Sequence, residues 1–330
     1  MDIKTKDQNY QTFLENLHGK LNTPDDILEK VVKSAIGYEV EKKQKVMEGE
    51  INEVYVVTPT KGNDIIVRIS REKHNRFEAE KWAMDRCRNA GVPVPQILLL
   101  SEVETDEEKL HICVESKIEG VSLEKLIKQN VLNQSEIKDI VINAGEILSK
   151  IHSIKTKGFG EINSTGVGKF ESWSEYMLKQ NKNSDVVLEQ VKKIGVNPKL
   201  IHEAFEILEK NQDIYKNVDS RLVHSDYGIK HMLIHDDKIN GIIDFENCRG
   251  ADIAYDFSWW QYFGKNRPPV EWLMEGYKRN GNLGENFEAR MHLVKIEIAL
   301  SLLIYYGDAG HGFAKDITTK NLIEDIAFLK

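Results

Sequence analysis

The stretch Val223 to Asp244, VHSDYGIKHMLIHDDKINGIID, holds the side chains with the clearest chemical potential. His224 and Asp226 stand in a loop after a short apolar run, Arg221-Leu222-Val223. His231 opens a second run five residues after Asp226, and Asp244 ends a third, 18 residues after Asp226. Asp236-Asp237-Lys238 reads as the turn between those last two runs, since short acidic side chains bond their own backbone and tolerate left-handed conformations. A tight β insert of this kind brings Asp226, His231 and Asp244 to one edge. Phosphoryl transfer would use such an edge in two ways. A carboxylate, Asp226, would orient an incoming hydroxyl and accept its proton. His231 and Asp244 would hold a divalent metal against nucleotide phosphates, because charge on the transferring group must be neutralised.

The protein-kinase form of this arrangement is H-R-D-x-x-x-x-N with a later Asp. Here it reads H-S-D-Y-G-I-K-H, then I-I-D-F-E-N. The segment after Asp244 lacks D-F-G, and no A-P-E follows, so protein kinase activity is not expected. The chain resembles instead the aminoglycoside phosphotransferase and choline kinase family, whose version is H-G-D-x-x-x-x-N. IIDFENCRGADIAYDF is similar to that family's I-D-x-x-x-x-x-x-G-D-x-x-x-D, with Asp244, Asp252 and Asp256 in place. Three positions depart from the pattern. Ser225 replaces a Gly, which changes the backbone freedom of the loop. Ala251 stands before the second Asp, with Gly250 one residue early. His231 replaces the Asn ligand; imidazole suits transition metals better than magnesium, although macrolide and gentamicin-type kinases carry His there. A capping or supporting role for His231 is the alternative.

The resemblance implies an α+β, bilobal protein-kinase-like fold, with a small antiparallel-sheet lobe and a larger, mostly helical one. It also implies ATP or GTP with Mg2+ as cofactors, and a small-molecule acceptor. The local patterns agree. Val54 to Val57 and Ile65 to Ile69 are β-rich runs separated by a turn cluster, Pro59 to Asn63. Phe77 to Asn89 reads as a helix ending at Gly91, followed by strands at Ile97 to Leu100 and Leu110 to Glu115. Arg68 is the single charge in its apolar strand. A strand arginine alone reads as snorkelling to solvent, but its place before a Glu-bearing helix points to nucleotide phosphates. The resemblance aligns Glu80 as its helix partner, with Glu78 as the alternative. MEGEINEVY, containing Gly49, Glu50 and Asn52, would be the loop over the phosphates; its lone Gly is also what an ordinary hairpin turn shows. Val114 to Ile118, including Glu115 and Ile118, would be the hinge that meets the nucleotide base.

The opening carries Tyr10, Phe13, Leu14, Leu17 and Leu21 at helical spacing. Thr23-Pro24-Asp25-Asp26 then predicts a second helix with Thr23 as its N-cap. From about Ser122 onward the chain reads as mostly helical, with an apolar stripe from Ile137 to Ile151 behind a Ser135 cap. The expected division is a nucleotide lobe over 1–116, its first 37 residues being extra helices, and a catalytic and acceptor lobe over 117–330. Acceptor-side candidates are Trp259, Trp260, Tyr262 and Phe263, with Tyr305, Tyr306 and Asp308; each aromatic also reads as core packing. Glu246, Asp252 and Asp256 are acids near the site, the latter two expected to brace loops.

With 330 residues, 41% hydrophobic and 30% charged, the chain can bury a core for two lobes. A net charge of −8 argues against nucleic-acid and anionic-membrane partners. Cys87, Cys113 and Cys248 are too scattered for a disulfide framework. The polar N-terminus has no apolar signal core, so a cytoplasmic protein is expected. The acceptor expected is a hydroxylated, amine-bearing antibiotic of the aminoglycoside type, hygromycin-like before gentamicin-like. The alternatives are a macrolide, choline or a sugar, or an inactive nucleotide-binding protein.

Overall fold

The structure, a computed structural model, describes residues 12, 14–16, 18–47, 52–72, 75–106, 108–262, 267–309 and 314–330. Its first lobe is an antiparallel sheet of β1 (Val40–Val46), β2 (Glu53–Pro59), β3 (Ile65–Ser70), β4 (Ile97–Glu104) and β5 (Lys109–Ser116), in the order β1-β2-β3-β5-β4. The strongly charged strand β1, KK-rich and half exposed, sits at the sheet edge, where lysines discourage further pairing. Its lack of apolar alternation is why the sequence patterns pass over it.

Helix α1 (Asp25–Ile36) covers one face of that sheet. Leu28, Val31 and Val32 pack into a core with Tyr55, Val57, Val67, Ile69, Ile112 and Val114. The helix starts one residue later than expected. Pro24 is the cap position, and Thr23 instead donates from its backbone N and Oγ1 to Glu53, at 3.2 and 2.7 Å. Gly37, at φ 77°, ends it, a left-handed position that glycine fills without a Cβ penalty.

Helix α2 (Phe77–Asn89) lies on the other face. Its Phe77, Ala83, Met84 and Cys87 share one continuous core with the second lobe. Two further contacts tie the lobes. Arg76 donates to the Cys248 carbonyl at 2.6 Å, and Ile242 donates its N–H to the Pro93 carbonyl at 2.8 Å.

The second lobe opens with β6 (Val121–Ser122), α3 (Leu123–Lys128) and α4 (Gln134–His152). Asn133, not Ser135, caps α4: its Oδ1 accepts from Ser135 and Glu136 N–H, and Glu136 answers to the Asn133 N–H at 2.7 Å. A hairpin of β7 (Phe159–Ile162) and β8 (Gly168–Phe170) follows, then α5 (Trp173–Met177), α6 (Ser184–Lys193), α7 (Pro198–Lys210) and α8 (Gln212–Tyr215). The central strands are β9 (Arg221–Val223), β10 (Met232–His235), β11 (Lys238–Ile242) and β12 (Arg249–Ala251). They form two small sheets, β11-β10-β6 and β8-β7-β12-β9. Helices α9 (Ala254–Tyr262), α10 (Val270–Tyr277), α11 (Phe287–Ala309) and α12 (Lys315–Phe328) complete the lobe. Helices α4 and α10 touch through glycine: a Cβ on Gly276 would sit 1.8 Å from the Ile142 carbonyl oxygen.

Candidate active site

The loop after β9 is held from below by one buried carboxylate. Asp256, fully buried on α9, accepts from the N–H groups of His224 at 2.9 Å and Ser225 at 2.7 Å. His152 of α4 supports it, with Nε2 at 3.0 Å. Ser225 adopts φ 70° in this grip. Serine therefore reaches the left-handed backbone that the usual glycine would take freely, a position that costs a non-glycine residue about 1–3 kcal/mol. His224 donates from Nε2 to the Ile243 carbonyl at 3.0 Å and accepts the Asp226 N–H on Nδ1 at 3.2 Å. Tyr227 anchors the loop to α4 through the Ala144 carbonyl at 2.8 Å. Ala251, in place of glycine, is an ordinary strand residue of β12, whereas Gly250 is packed so closely that a Cβ would lie 2.4 Å from the Gly158 carbonyl oxygen.

Asp226, His231 and Asp244 each present a ligand atom within 4.8 Å of the others. His231 comes from a single 3-10 turn, Ile229–His231, and Asp244 follows β11 at φ 71°, a second strained residue at the same edge. Burial drives the His231 pKa down to about 4, against the pull of Asp244 and Asp226. The ring is therefore neutral near pH 7. Its Nδ1–H donates to the Asp226 carbonyl at 3.1 Å, which leaves the Nε2 lone pair 3.2 Å from an Asp244 carboxylate oxygen. Two electron-rich atoms facing each other are a donor set that suits a divalent cation. Burial pushes Asp226 up, but His231, Lys230 and His224 outweigh it and hold the carboxyl below its ordinary value. Its Oδ1 accepts from Trp259 Nε1 at 2.5 Å, and its Oδ2 lies 3.1 Å from Lys230 Nζ.

In the sheet lobe, Arg68 on β3 makes a bidentate pair with Glu80 of α2, at 2.7 and 2.8 Å. Glu80 is buried and Glu78 is exposed, so the helix turns only the former toward the sheet. Glu115 of β5 adds a third carboxylate oxygen at 3.5 Å, and Glu246 a fourth at 3.8 Å. Burial opposes the Arg68 charge, yet Glu80 and Glu115 raise its pKa above the ordinary value. Glu115 and Glu246 are shifted too. Burial raises Glu115 to about 7 despite Arg68, and burial followed by the Asp244 charge raises Glu246 to about 7. Asn52 reaches from the sheet lobe to Glu246 Oε2 at 2.9 Å. Gly49 and Glu50 lie outside the described residues. Ile118 packs on Gly241, where a Cβ would meet its Cδ1 at 2.6 Å.

The acceptor-side candidates lie in different environments. Trp260 and Tyr262 are core residues, at 1% and 2% exposure, and Trp260 Nε1 donates to the Pro268 carbonyl at 2.9 Å. Helix α9 turns most of both side chains into the core, and both also edge a surface pocket with Arg267 and Asp325. Asp308 is exposed near the end of α11, where the adjacent Gly307 packs on the Gln190 backbone of α6. Phe263 lies outside the described residues; Tyr305 is exposed and Tyr306 buried. Asp252 pairs with Arg290 at 2.6 Å and accepts from Ala254 N–H at 3.0 Å, which braces the start of α9. Glu246 lies 3.8 Å from Arg68. The sequence patterns did not single out Lys230, Arg267 or His152. A lysine four residues after Asp226 is the only local signal among them; the others come together through tertiary packing.

Among the described residues, no helix is long and apolar enough to cross a membrane. A curated relative, hygromycin-B 4-O-kinase of Escherichia coli, is 21% identical over 180 residues, 54% of this chain. The match spans about half of that relative's length, 50%. Among solved structures, a thermostable mutant of aminoglycoside phosphotransferase APH(4)-Ia, in complex with ADP and hygromycin B, superposes with TM-score 0.73 at 17% identity, covering 91% of this chain and 98% of its own. A fructosamine-3-kinase candidate from Thermobifida fusca gives 0.65 at 17% identity, over 90% and 98%. The gentamicin complex of APH(2")-IIa gives 0.61 at 16%, over 93% and 97%. These likenesses establish the bilobal α+β kinase-like fold. The family model for the phosphotransferase enzyme family matches residues 44–289, which takes in the Arg68–Glu80 pair and the whole Asp226, His231 and Asp244 cluster, and the chain belongs to that family.

Proposed function

We propose that this protein transfers the γ-phosphoryl group of ATP or GTP to a hydroxyl of an aminoglycoside-type antibiotic. The observation that carries the reading is the convergence of Asp226, His231 and Asp244, with Glu246, two residues beyond Asp244, reaching to 3.8 Å from Arg68 of the buried Arg68–Glu80 pair. Asp226 is the catalytic carboxylate, ionised near neutrality, which orients the acceptor hydroxyl and takes its proton. His231 and Asp244 would hold Mg2+; when bound, the ion neutralises charge on the nucleotide phosphates. Arg68 binds phosphate oxygens and is kept in place by Glu80. Gly49, Glu50 and Asn52 cover the phosphates, and Glu115 and Ile118 mark the stretch that meets the base. Asn52 then exchanges its bond to Glu246 for the nucleotide. Glu246 and Glu115, raised toward neutrality, lower the electrostatic penalty of bringing phosphates between so many carboxylates.

The lobe boundary at 116/117 belongs to the same proposal: β5 ends at Ser116, and β6 already pairs with β10. So does a cytoplasmic location, which suits three buried free thiols, Cys87, Cys113 and Cys248. For the acceptor, the relative and two structural neighbours carry the names of aminoglycoside kinases or their complexes. A second reading, a sugar-amine kinase, is favoured by one observation: Lys230 and Arg267 place positive charge beside Asp226, and a less cationic acceptor fits there better. A panel of hygromycin B, gentamicin, a macrolide, choline and a fructosamine, each with ATP and with GTP, tests this. Acceptor-dependent nucleotide consumption with hygromycin B or gentamicin supports the first reading. Turnover with the fructosamine alone supports the second.

A further inference from the structure

Trp259 does not behave as a simple aromatic wall. It lies on the last turns of α9, half-buried, and its indole Nε1–H donates to Asp226 Oδ1 at 2.5 Å. The backbone behind it is fixed as well. Arg267 donates from Nη1 to the Trp259 carbonyl at 2.9 Å and to the Trp260 carbonyl at 3.2 Å, satisfying acceptors at the helix end. That guanidinium passes against Gly228 in the catalytic loop, where an added Cβ would stand 3.3 Å from Nη2. A chain of contacts therefore runs from the loop glycine through Arg267 and the end of α9 to the carboxylate itself. The two oxygens of Asp226 are held differently. Oδ1 meets a rigid ring that can only donate. Oδ2 meets Lys230 Nζ at 3.1 Å, on a flexible side chain that is half exposed.

We propose that Trp259 is a positioning residue that fixes Oδ1 of Asp226, leaving Oδ2 as the oxygen that receives the acceptor proton while Lys230 moves aside. The inference rests on the proposed role of Asp226. In the step, the acceptor O–H bond breaks and its proton passes to Oδ2. The acceptor oxygen bonds to the γ-phosphorus of the nucleoside triphosphate, and the bond from that phosphorus to the β–γ bridging oxygen breaks. The nucleoside diphosphate leaves with the electron pair. An indole donor cannot take the proton, so it selects one oxygen of two. Without it the carboxylate rotates, and misplacement of this kind lowers turnover by about 10- to 100-fold.

The test separates the N–H from the shape of the ring. Trp259→Phe removes both the donor and part of the ring. Trp259→benzothienylalanine keeps the shape and replaces the N–H by sulfur. With ATP and hygromycin B as probes, and folding checked by thermal melting, both variants are expected to lose at least about 10-fold in kcat. KM for ATP and for hygromycin B should stay within about two-fold of wild type. A benzothienyl variant with wild-type kcat, and a Phe variant altered only in acceptor KM, would overturn the proposal and leave an acceptor wall. Asp226→Asn is measured alongside: if it turns over normally, the role of Asp226 itself is wrong, a different failure. A second readout needs no acceptor. The chain has 5 tryptophans, so 15N–1H spectra show their indole signals singly. One should lie downfield in wild type and move in Asp226→Ala; five unmoved signals would overturn the proposal.

Discussion

Arg68 is permanently charged, nearly buried and faced by three glutamates. Removing one partner of such a group leaves an uncompensated charge, at a cost of about 3–5 kcal/mol. Glu80→Gln keeps volume and one acceptor oxygen, so it is expected to fold while losing the bidentate geometry. KM for ATP should rise about 10-fold or more with kcat less affected, read from initial rates; an unchanged KM would detach Glu80 from nucleotide binding. At Ser225 the prediction runs toward gain. The residue stands at φ 70°, so Ser225→Gly relieves backbone strain at some cost in unfolded-state entropy. We expect stabilisation of about 0.5–1 kcal/mol in urea melts. Residue identity was the most legible layer of the sequence. Asp226, His231, Asp244 and Arg68 carry their chemistry in their type and spacing. Trp259 was legible as a nearby aromatic but not as a hydrogen-bond donor to Asp226, because that contact depends on the rotation of α9 about its axis.

At the scale of elements, the base of the phosphate loop is joined to the N-terminal segment. Glu53, the first residue of β2 and next to Asn52, is fully buried. It accepts from Thr23, Tyr55 Oη at 2.6 Å and Arg71 at 2.9 Å, with Lys45 at 3.0 Å. Burial alone would raise its pKa, but these donors outweigh it and bring the value from 4.5 down to about 2. A depressed folded-state pKa means stability that is fully present above the unfolded value and is lost as pH falls through the folded one. Wild type should therefore exceed Glu53→Gln by about 3 kcal/mol at pH 7. That gap should narrow between about pH 4.5 and 2, followed by urea unfolding at several pH values; a gap constant down to pH 2 contradicts the network. The strands β2 to β5 announced themselves as continuous β-rich apolar runs. Strand β1 and the two-residue β6 did not, since one is a charged edge and the other is defined only by its pairing with β10.

For the whole molecule, the helix before the sheet is structural cover. Helix α1 closes a face of the sheet that would otherwise expose Val57, Val67, Ile69, Ile112 and Val114. Deleting residues 1–37 should therefore give an aggregating or partly unfolded lobe, seen by light scattering, with nucleotide binding lost along with it. A truncated protein that stays monomeric and binds ATP normally would contradict that cover. The bilobal layout was legible from the succession of patterns and from the family resemblance. The burial of the aromatics was not, because buried and exposed aromatics look alike along a sequence; Trp260 and Tyr262 are buried, and Trp259 reaches the carboxylate. Net charge acts at this scale as well. At −8 overall, a polycationic acceptor should show a KM that rises between low and physiological salt, whereas a neutral acceptor should not.

The central claim is that Asp226 serves the hydroxyl while His231, Asp244 and Arg68 serve the nucleotide. The most direct measurement compares wild type with Asp226→Asn in two assays on the same preparations: calorimetric binding of Mg–ATP, and phosphorylation of hygromycin B followed by mass spectrometry. ATP affinity is expected within a few-fold of wild type and phosphorylation reduced by at least about 1,000-fold, the combined loss of orientation and proton acceptance. An Asp226→Asn protein that phosphorylates the acceptor at a near wild-type rate would contradict that role of Asp226.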